Sequence, residues 1–371
     1  MTKPCTQSLA HQSLKLLSRL VLLPGKTGRT ENAAAAELRK EVAGLSRPEF
    51  DCLVALAETN HVLVRGLEAF REIAEQAGDA IRTSWAEVCL SAERARINVA
   101  LSHLSMICDL FMHHQLRIAV IKSLDHYPDL GSDLDLYTNA KPEAVIRLME
   151  KEFGARPASR SLGDRMACKW NFMVPRLPEL VEIHIGRLGQ MGEQFAIADS
   201  LLDRTRCISI GGLQFRVPSI SDRLMVSTLQ RMYRHFYFRL CDIVDSALLV
   251  ESGSIDYDDL YVAAATAGIW EGVTTYLAIV SDYVERYRGV PLDIPEWVIA
   301  AARFRGKEVY FAKDFLRVPI LPQSAKLYGS QLAKVIRRRQ FESGARLSLL
   351  PWLATAALVG QKITGSDKGI W

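Results

Sequence analysis

The chain has 371 residues, 49% of them apolar and 24% charged, with a formal net charge of +4. Such values fit a soluble globular protein with a substantial core shared by two or three packed units, and they exclude a disordered chain. The charge is too small and too dispersed for extended nucleic-acid binding to be expected.

Seven cysteines (Cys5, Cys52, Cys89, Cys108, Cys168, Cys207, Cys241) are scattered without CxxC spacing. The odd count fits reduced thiols of a cytoplasmic protein better than a disulfide framework or a zinc site. The opening stretch "MTKPCTQSLAHQSLKLL" has no continuous apolar core of the signal-peptide type. No segment reaches the ~20 apolar residues that span a bilayer, so no membrane span is expected. The nearest candidate, "LLPWLATAALVG" at 349–360, reads as a buried helix, with a membrane-surface element after the basic "KVIRRRQ" as the alternative.

In chain order, a helical pattern runs from Ala34 to about Leu116. Within it "SRPEF" supplies a helix start, with Ser46 able to cap and Glu49 three positions on. Ile97, Leu101, Leu104, Cys108 and Phe111 repeat at the spacing of one buried helix face. The period then changes. "RIAVIKS" (117–123) is rich in β-branched residues and "SDLDLYT" (132–138) alternates, so both read as strands. A helix follows from Pro142 to Gly154, with Val145, Ile146, Met149 and Phe153 on one side. "MACKWNFMV" and "ELVEIHIG" form a hairpin across "PRLP", in which Val181, Ile183 and Ile185 alternate with Glu182 and His184. From Ser219 onward the pattern is helical again.

The fold class is therefore α+β. A small mixed sheet core at 117–218 lies between a helical N-terminal region at 1–116 and a helical C-terminal region at 219–371.

Asp133 and Asp135 carry the chemical signal. Side chains at i and i+2 of a strand share a face, so these two carboxylates point one way while Leu134 and Leu136 point into the core. Their mutual repulsion calls for a cation between them, and open carboxylates suit Mg²⁺, which takes hard oxygen ligands and shares its shell with substrate phosphates. If the strand "ELVEIHIG" lies beside them, Glu182 adds a third carboxylate, and three carboxylates can hold two ions about 3.5–4 Å apart. The bland readings are a chance acidic pair at a strand start, a solvated face for Glu182, and a hydrogen-bonded edge residue for His184.

The succession "VIKS" at 120–123, "YPD" at 127–129, "SDLDLY" at 132–137 and "VEIH" at 181–184 resembles the uncharacterised nucleotidyltransferases of the NTP_transf_5 kind, within the superfamily of DNA-polymerase-β type. The likeness extends from about residue 45 to 285. It implies transfer of a nucleoside monophosphate from a nucleoside triphosphate to an unidentified small-molecule or protein acceptor, with pyrophosphate release.

By the same resemblance, Asp133 and Asp135 hold an Mg²⁺ ion on the triphosphate, and Glu182 joins them in holding a second that activates the acceptor oxygen. Where the superfamily has a Gly-Ser phosphate loop this chain has Lys122-Ser123, in which the lysine offers a charge and the serine a hydroxyl to phosphate. Gly131-Ser132 is a second Gly-Ser step, or simply a turn. His184 orients Glu182 or touches phosphate.

On a single helical wheel Arg231, His235, Arg239, Asp242 and Asp245 share one side, expected to meet triphosphate or acceptor, with an Arg/Asp salt-bridge ladder as the alternative. Tyr233, Tyr237 and Trp270 read as packing residues. Two other functions stay open: a catalytically silent binding protein on the same fold, and a sugar-nucleotide glycosyltransferase that uses its Asp-x-Asp on a metal.

Overall fold

Among the described residues, five helices precede the first strand: α1 (Gln7–Leu22), α2 (Ala33–Gly44), α3 (Arg47–Thr59), α4 (Leu63–Gln76) and α5 (Ala80–His113). The computed structural model describes residues 7–22 and 33–364. The Glu49 carboxylate accepts the backbone N–H (2.8 Å) and hydroxyl (2.6 Å) of Ser46, fixing the start of α3 as the capping pattern predicts. Along α5, Ile97, Leu101, Leu104, Cys108 and Phe111 are all buried, as their spacing requires.

The central region runs β1 (Ile118–Val120), a 3₁₀ turn (Ser123–His126), β2 (Asp133–Thr138), α6 (Pro142–Phe153), β3 (Arg156–Pro157), α7 (Leu162–Met166), β4 (Lys169–Met173) and β5 (Leu180–Ile185). These strands form one mixed sheet in the order β1-β2-β5-β4-β3. β2 lies parallel to β5 and antiparallel to β1, while β4 and β5 form the expected hairpin. Leu134, Leu136, Val181 and Ile183 are fully buried, so the apolar phase of both inner strands faces the core. α6 ends at Gly154 in the left-handed conformation, the residue type that accepts it without strain.

Next come α8 (Phe195–Leu201) and the hairpin of β6 (Thr205–Ile210) and β7 (Leu213–Pro218). After these the chain continues through α9 (Ile220–Thr228), a π-helical turn (Leu229–His235), β8 (Tyr237–Phe238), α10 (Leu240–Glu251), α11 (Tyr257–Thr266), α12 (Trp270–Arg288) and α13 (Glu296–Ala300). It finishes with β9 (Tyr310–Ala312), β10 (Phe315–Arg317), α14 (Ala325–Arg337) and α15 (Phe341–Thr364).

The C-terminal region is helical as expected, and within it β8, β10 and β9 form a small three-stranded sheet in that order. One sequence expectation is corrected here. Residues 231–247 are not one helix: Phe236 takes φ 55°, and Tyr237 pairs with Arg317 and stacks on Phe315 at 4.3 Å. Pairing across some eighty residues overrides the local helical pattern, and strands this short leave no alternation to detect.

The N- and C-terminal helices meet, with Ser18 Oγ and Tyr283 Oη hydrogen-bonded at 2.7 Å. No helix among the described residues is long and apolar enough to cross a membrane. Cys89, Cys108, Cys168, Cys207 and Cys241 are free thiols, whereas Cys52 is disulfide-bonded, so the all-thiol expectation fails at that position. Cys5 lies outside the described residues, as do the first six residues of the N-terminal stretch.

Candidate active site

Parallel pairing of β2 with β5 sets Asp133 opposite Leu180 and Asp135 opposite Glu182. Directly opposed residues of neighbouring strands project to the same face, so Asp133, Asp135 and Glu182 converge as the alternation predicts. All three line one polar cavity of about 220 Å³.

The charges that balance them come from the protein. Lys122 Nζ lies 2.5 Å from Asp135 Oδ1 and 3.9 Å from Glu182 Oε1, while Lys169 Nζ contacts Glu182 Oε2 and Asp164 Oδ1, each at 3.0 Å. His184 Nε2 donates to Glu182 Oε1 at 2.8 Å, so the histidine orients the glutamate. Burial pushes the Glu182 carboxyl up, but the His184 hydrogen bond and the Lys122 and Lys169 charges outweigh it and hold the group well below the usual carboxylate range. The expectation that only a divalent cation offsets the repulsion is therefore corrected: two lysines already do so for Asp135 and Glu182.

Asp133 differs. No ion-pair partner reaches its carboxylate among the described residues. Burial, then Asp135 and Glu182, push its carboxyl up to about 6.

Local backbone geometry aims Lys122. It has φ 61° and ψ −57°, and Ser123 N–H donates to Ile121 O at 2.6 Å, closing a γ-turn around the lysine. This conformation is strained for any residue with a Cβ and costs about 1–3 kcal/mol. Ser123 Oγ donates to Asp133 O (3.1 Å) and accepts from Asp135 N–H (2.8 Å). The serine hydroxyl thus clasps the head of β2, which corrects the expectation that it is free to meet phosphate.

The rest of the cavity wall comes from the π-helical turn and the break after it. Arg231, His235 and Arg239 line it, as do Gly131 and Ser132. They arrive there through the bend at Phe236, so the single polar stripe is corrected while its residues stay at the site. Arg231 is buried and pairs with Asp242 at 2.7 Å across that bend. Asp245 turns instead to Arg65 and His126, at 2.7 and 2.5 Å. Burial and the neighbouring arginines hold His235 well below its usual range, so it is neutral.

Sequence reading missed Lys169, Arg234, Gln230, Tyr237, His61 and His126, which also line the cavity. Lys169 was detectable, because it stands opposite His184 in β4, on the polar phase that includes Asn171 opposite Glu182. Arg234 has no carboxylate partner among the described residues, and its Nε is buried without a hydrogen bond. The "YPD" stretch also has a plain structural role. Asp129 accepts Val64 N–H (2.6 Å) and Arg65 Nε–H (2.7 Å), capping the start of α4 from a distance.

The donor set fits one hard divalent cation at Asp133 and Asp135: two carboxylates on one face, one of them with no internal countercharge. Asp135, Glu182 and His184 also bring donor atoms within 4.8 Å of one another. There, however, both glutamate oxygens are already engaged, by His184 and by Lys169.

No curated protein matches the chain. A family model described as uncharacterised nucleotidyltransferase matches residues 46–284, a span that contains the cavity's carboxylates, both lysines and the arginines of the π-helical turn. The match covers more than half of the sequence, and with this acidic pair on a mixed sheet the chain belongs to that family of nucleotidyltransferases.

Proposed function

We propose that the protein catalyses Mg²⁺-dependent transfer of a nucleoside monophosphate from a nucleoside triphosphate to an acceptor hydroxyl, with release of pyrophosphate. The observation that carries this reading is the convergence of Asp133, Asp135 and Glu182 in a cavity that five cationic side chains also line: Lys122, Lys169, Arg231, Arg234 and Arg239. A wall of this kind recognises a polyanion, and the carboxylates at its base distinguish a metal-assisted phosphoryl site from a simple anion hole.

A magnesium ion bound at Asp133 and Asp135 supplies Lewis-acid polarisation of the phosphate oxygens. The chain's own groups do the rest. Arg234 and Arg239 hold the triphosphate and offset the charge that gathers on the departing pyrophosphate. His184 fixes Glu182. The acceptor oxygen forms its bond to the α-phosphorus as the bond from that phosphorus to the β-bridging oxygen breaks, and the acceptor's proton is lost to a carboxylate of the pocket.

An adjoining apolar cleft of about 60 Å³ shares Lys122, Gln230 and Arg234 with the cavity and is walled by Leu188, Tyr233 and Leu347. Its chemistry suits a base or an apolar part of the acceptor. The glycosyltransferase alternative is disfavoured because helices α1–α5, not an alternating α/β half, precede Asp133.

Parallel incubations with α-labelled and γ-labelled nucleoside triphosphates, with cell extract as the acceptor source, test the proposal. Label from the α-position alone enters an acceptor if it is right. Transfer of the γ-label, or of a sugar from a UDP-sugar control, contradicts it.

A further inference from the structure

We infer that the ammonium group of Lys122 is a built-in cation standing where the second divalent ion of a two-ion site would lie, so that this chain works with a single ion held at Asp133 and Asp135. The inference rests on the function proposed above and narrows it.

Three observations carry it. First, Lys122 Nζ sits 2.5 Å from Asp135 Oδ1 and 3.9 Å from Glu182 Oε1, between the two carboxylates that the strand register places side by side. Paired ions lie about 3.5–4 Å apart and share such carboxylates, so the ammonium occupies the space and takes the countercharge that a second ion needs. This is no incidental surface pair, since the lysine and aspartate side chains are only 12% and 14% exposed.

Second, each Glu182 oxygen already carries one contact, Oε1 from His184 at 2.8 Å and Oε2 from Lys169 at 3.0 Å, and Lys122 Nζ at 3.9 Å stands on the approach to the remaining lone pairs of Oε1. A cation entering there must approach two ammonium groups, of which Lys122 is the one that also holds Asp135. Third, the backbone holds Lys122 at φ 61° in the γ-turn closed by Ser123 N–H, a conformation glycine adopts without steric cost. The strain is retained with a residue that brings a positive charge to Asp135. An ammonium supplies one unit of charge where an ion supplies two, and Arg234 and Arg239 in the same cavity supply the remainder.

The test counts ions directly, without turnover. Mn²⁺ is titrated into the protein saturated with a non-hydrolysable α,β-methylene nucleoside triphosphate, and free Mn²⁺ is followed by electron paramagnetic resonance. The wild type is expected to retain one Mn²⁺ per chain. Lys122→Gly, which removes the ammonium and suits the backbone, is expected to retain two, returning to one when combined with Glu182→Gln, which spares both ligands of the first ion.

Two ions on the wild type, or a single ion on folded Lys122→Gly, overturns the lysine assignment while leaving the proposed function standing. No Mn²⁺ retained by either protein overturns both. If Lys122→Gly does not fold, the wild-type count alone decides.

Discussion

Asp133 and Asp135 sit one residue apart on the same strand face yet meet opposite electrostatic fates, because Lys122 reaches only the second. With its carboxyl pushed up to about 6, Asp133 carries a cost in the metal-free fold that its charge-free analogue escapes. Below about pH 3 the carboxyl is protonated in the folded chain and largely so in the unfolded one, and Asp133→Asn changes little. As pH rises, the unfolded chain ionises first, so the native carboxyl destabilises the fold increasingly until it ionises too. In EDTA above about pH 6.5 the substitution is therefore expected to stabilise the protein by about 2 kcal/mol, read from urea denaturation. Equal stability of the two proteins across the whole range contradicts the geometry given for this residue. Saturating Mg²⁺ with nucleotide is expected to reverse the order, because only the native aspartate gains from the ion.

At the scale of elements, two polar networks hold the site in place. Arg65 at the start of α4 joins Asp129, Asp245 and the His126 carbonyl, each at 2.7 Å, and so ties α4, α10 and the 3₁₀ turn after β1 together. Arg65→Met removes the guanidinium that Asp129 and Asp245 share, leaving Asp129 only backbone N–H groups and Asp245 only His126, and is expected to cost about 3–5 kcal/mol in chemical denaturation. A loss below about 1 kcal/mol would show that the network is not structural. Lys169 and Glu182 pair across β4 and β5. Lys169→Met and Glu182→Gln are each expected to destabilise by about 2–4 kcal/mol, with the double variant losing at least about 1 kcal/mol less than their sum. Strict additivity rules out the coupling. The paired inner strands were legible because Asp133, Asp135 and Glu182 alternate with buried Leu134, Leu136, Val181 and Ile183. The break at Phe236 was not legible, since Tyr237 is drawn out of helical geometry by Phe315 and Arg317 far along the chain. The countercharge was legible only in part. Lys169 stands on the polar phase of the expected hairpin, whereas Lys122 belongs to a strand-end turn whose geometry alone carries it to Asp135.

Across the whole molecule, the sheet supplies acidic groups and the break between α9 and α10 supplies cationic ones, so the cavity exists only when the central sheet and the C-terminal helices are packed together. Arg234 stands on that C-terminal side without a carboxylate partner among the described residues. Arg234→Met is expected to weaken nucleoside triphosphate binding by roughly tenfold while leaving the melting temperature of the free protein nearly unchanged. A large loss of stability with unaltered affinity would reassign the residue to the fold. The most direct test of the account is calorimetric titration of wild type and Asp133→Asn with each of the four nucleoside triphosphates, in Mg²⁺ and in EDTA. The account predicts saturable binding of at least one nucleotide by the wild type in Mg²⁺, lost in EDTA and lost in the variant. Absence of binding by any nucleotide, or binding indifferent to both the metal and Asp133, would contradict it.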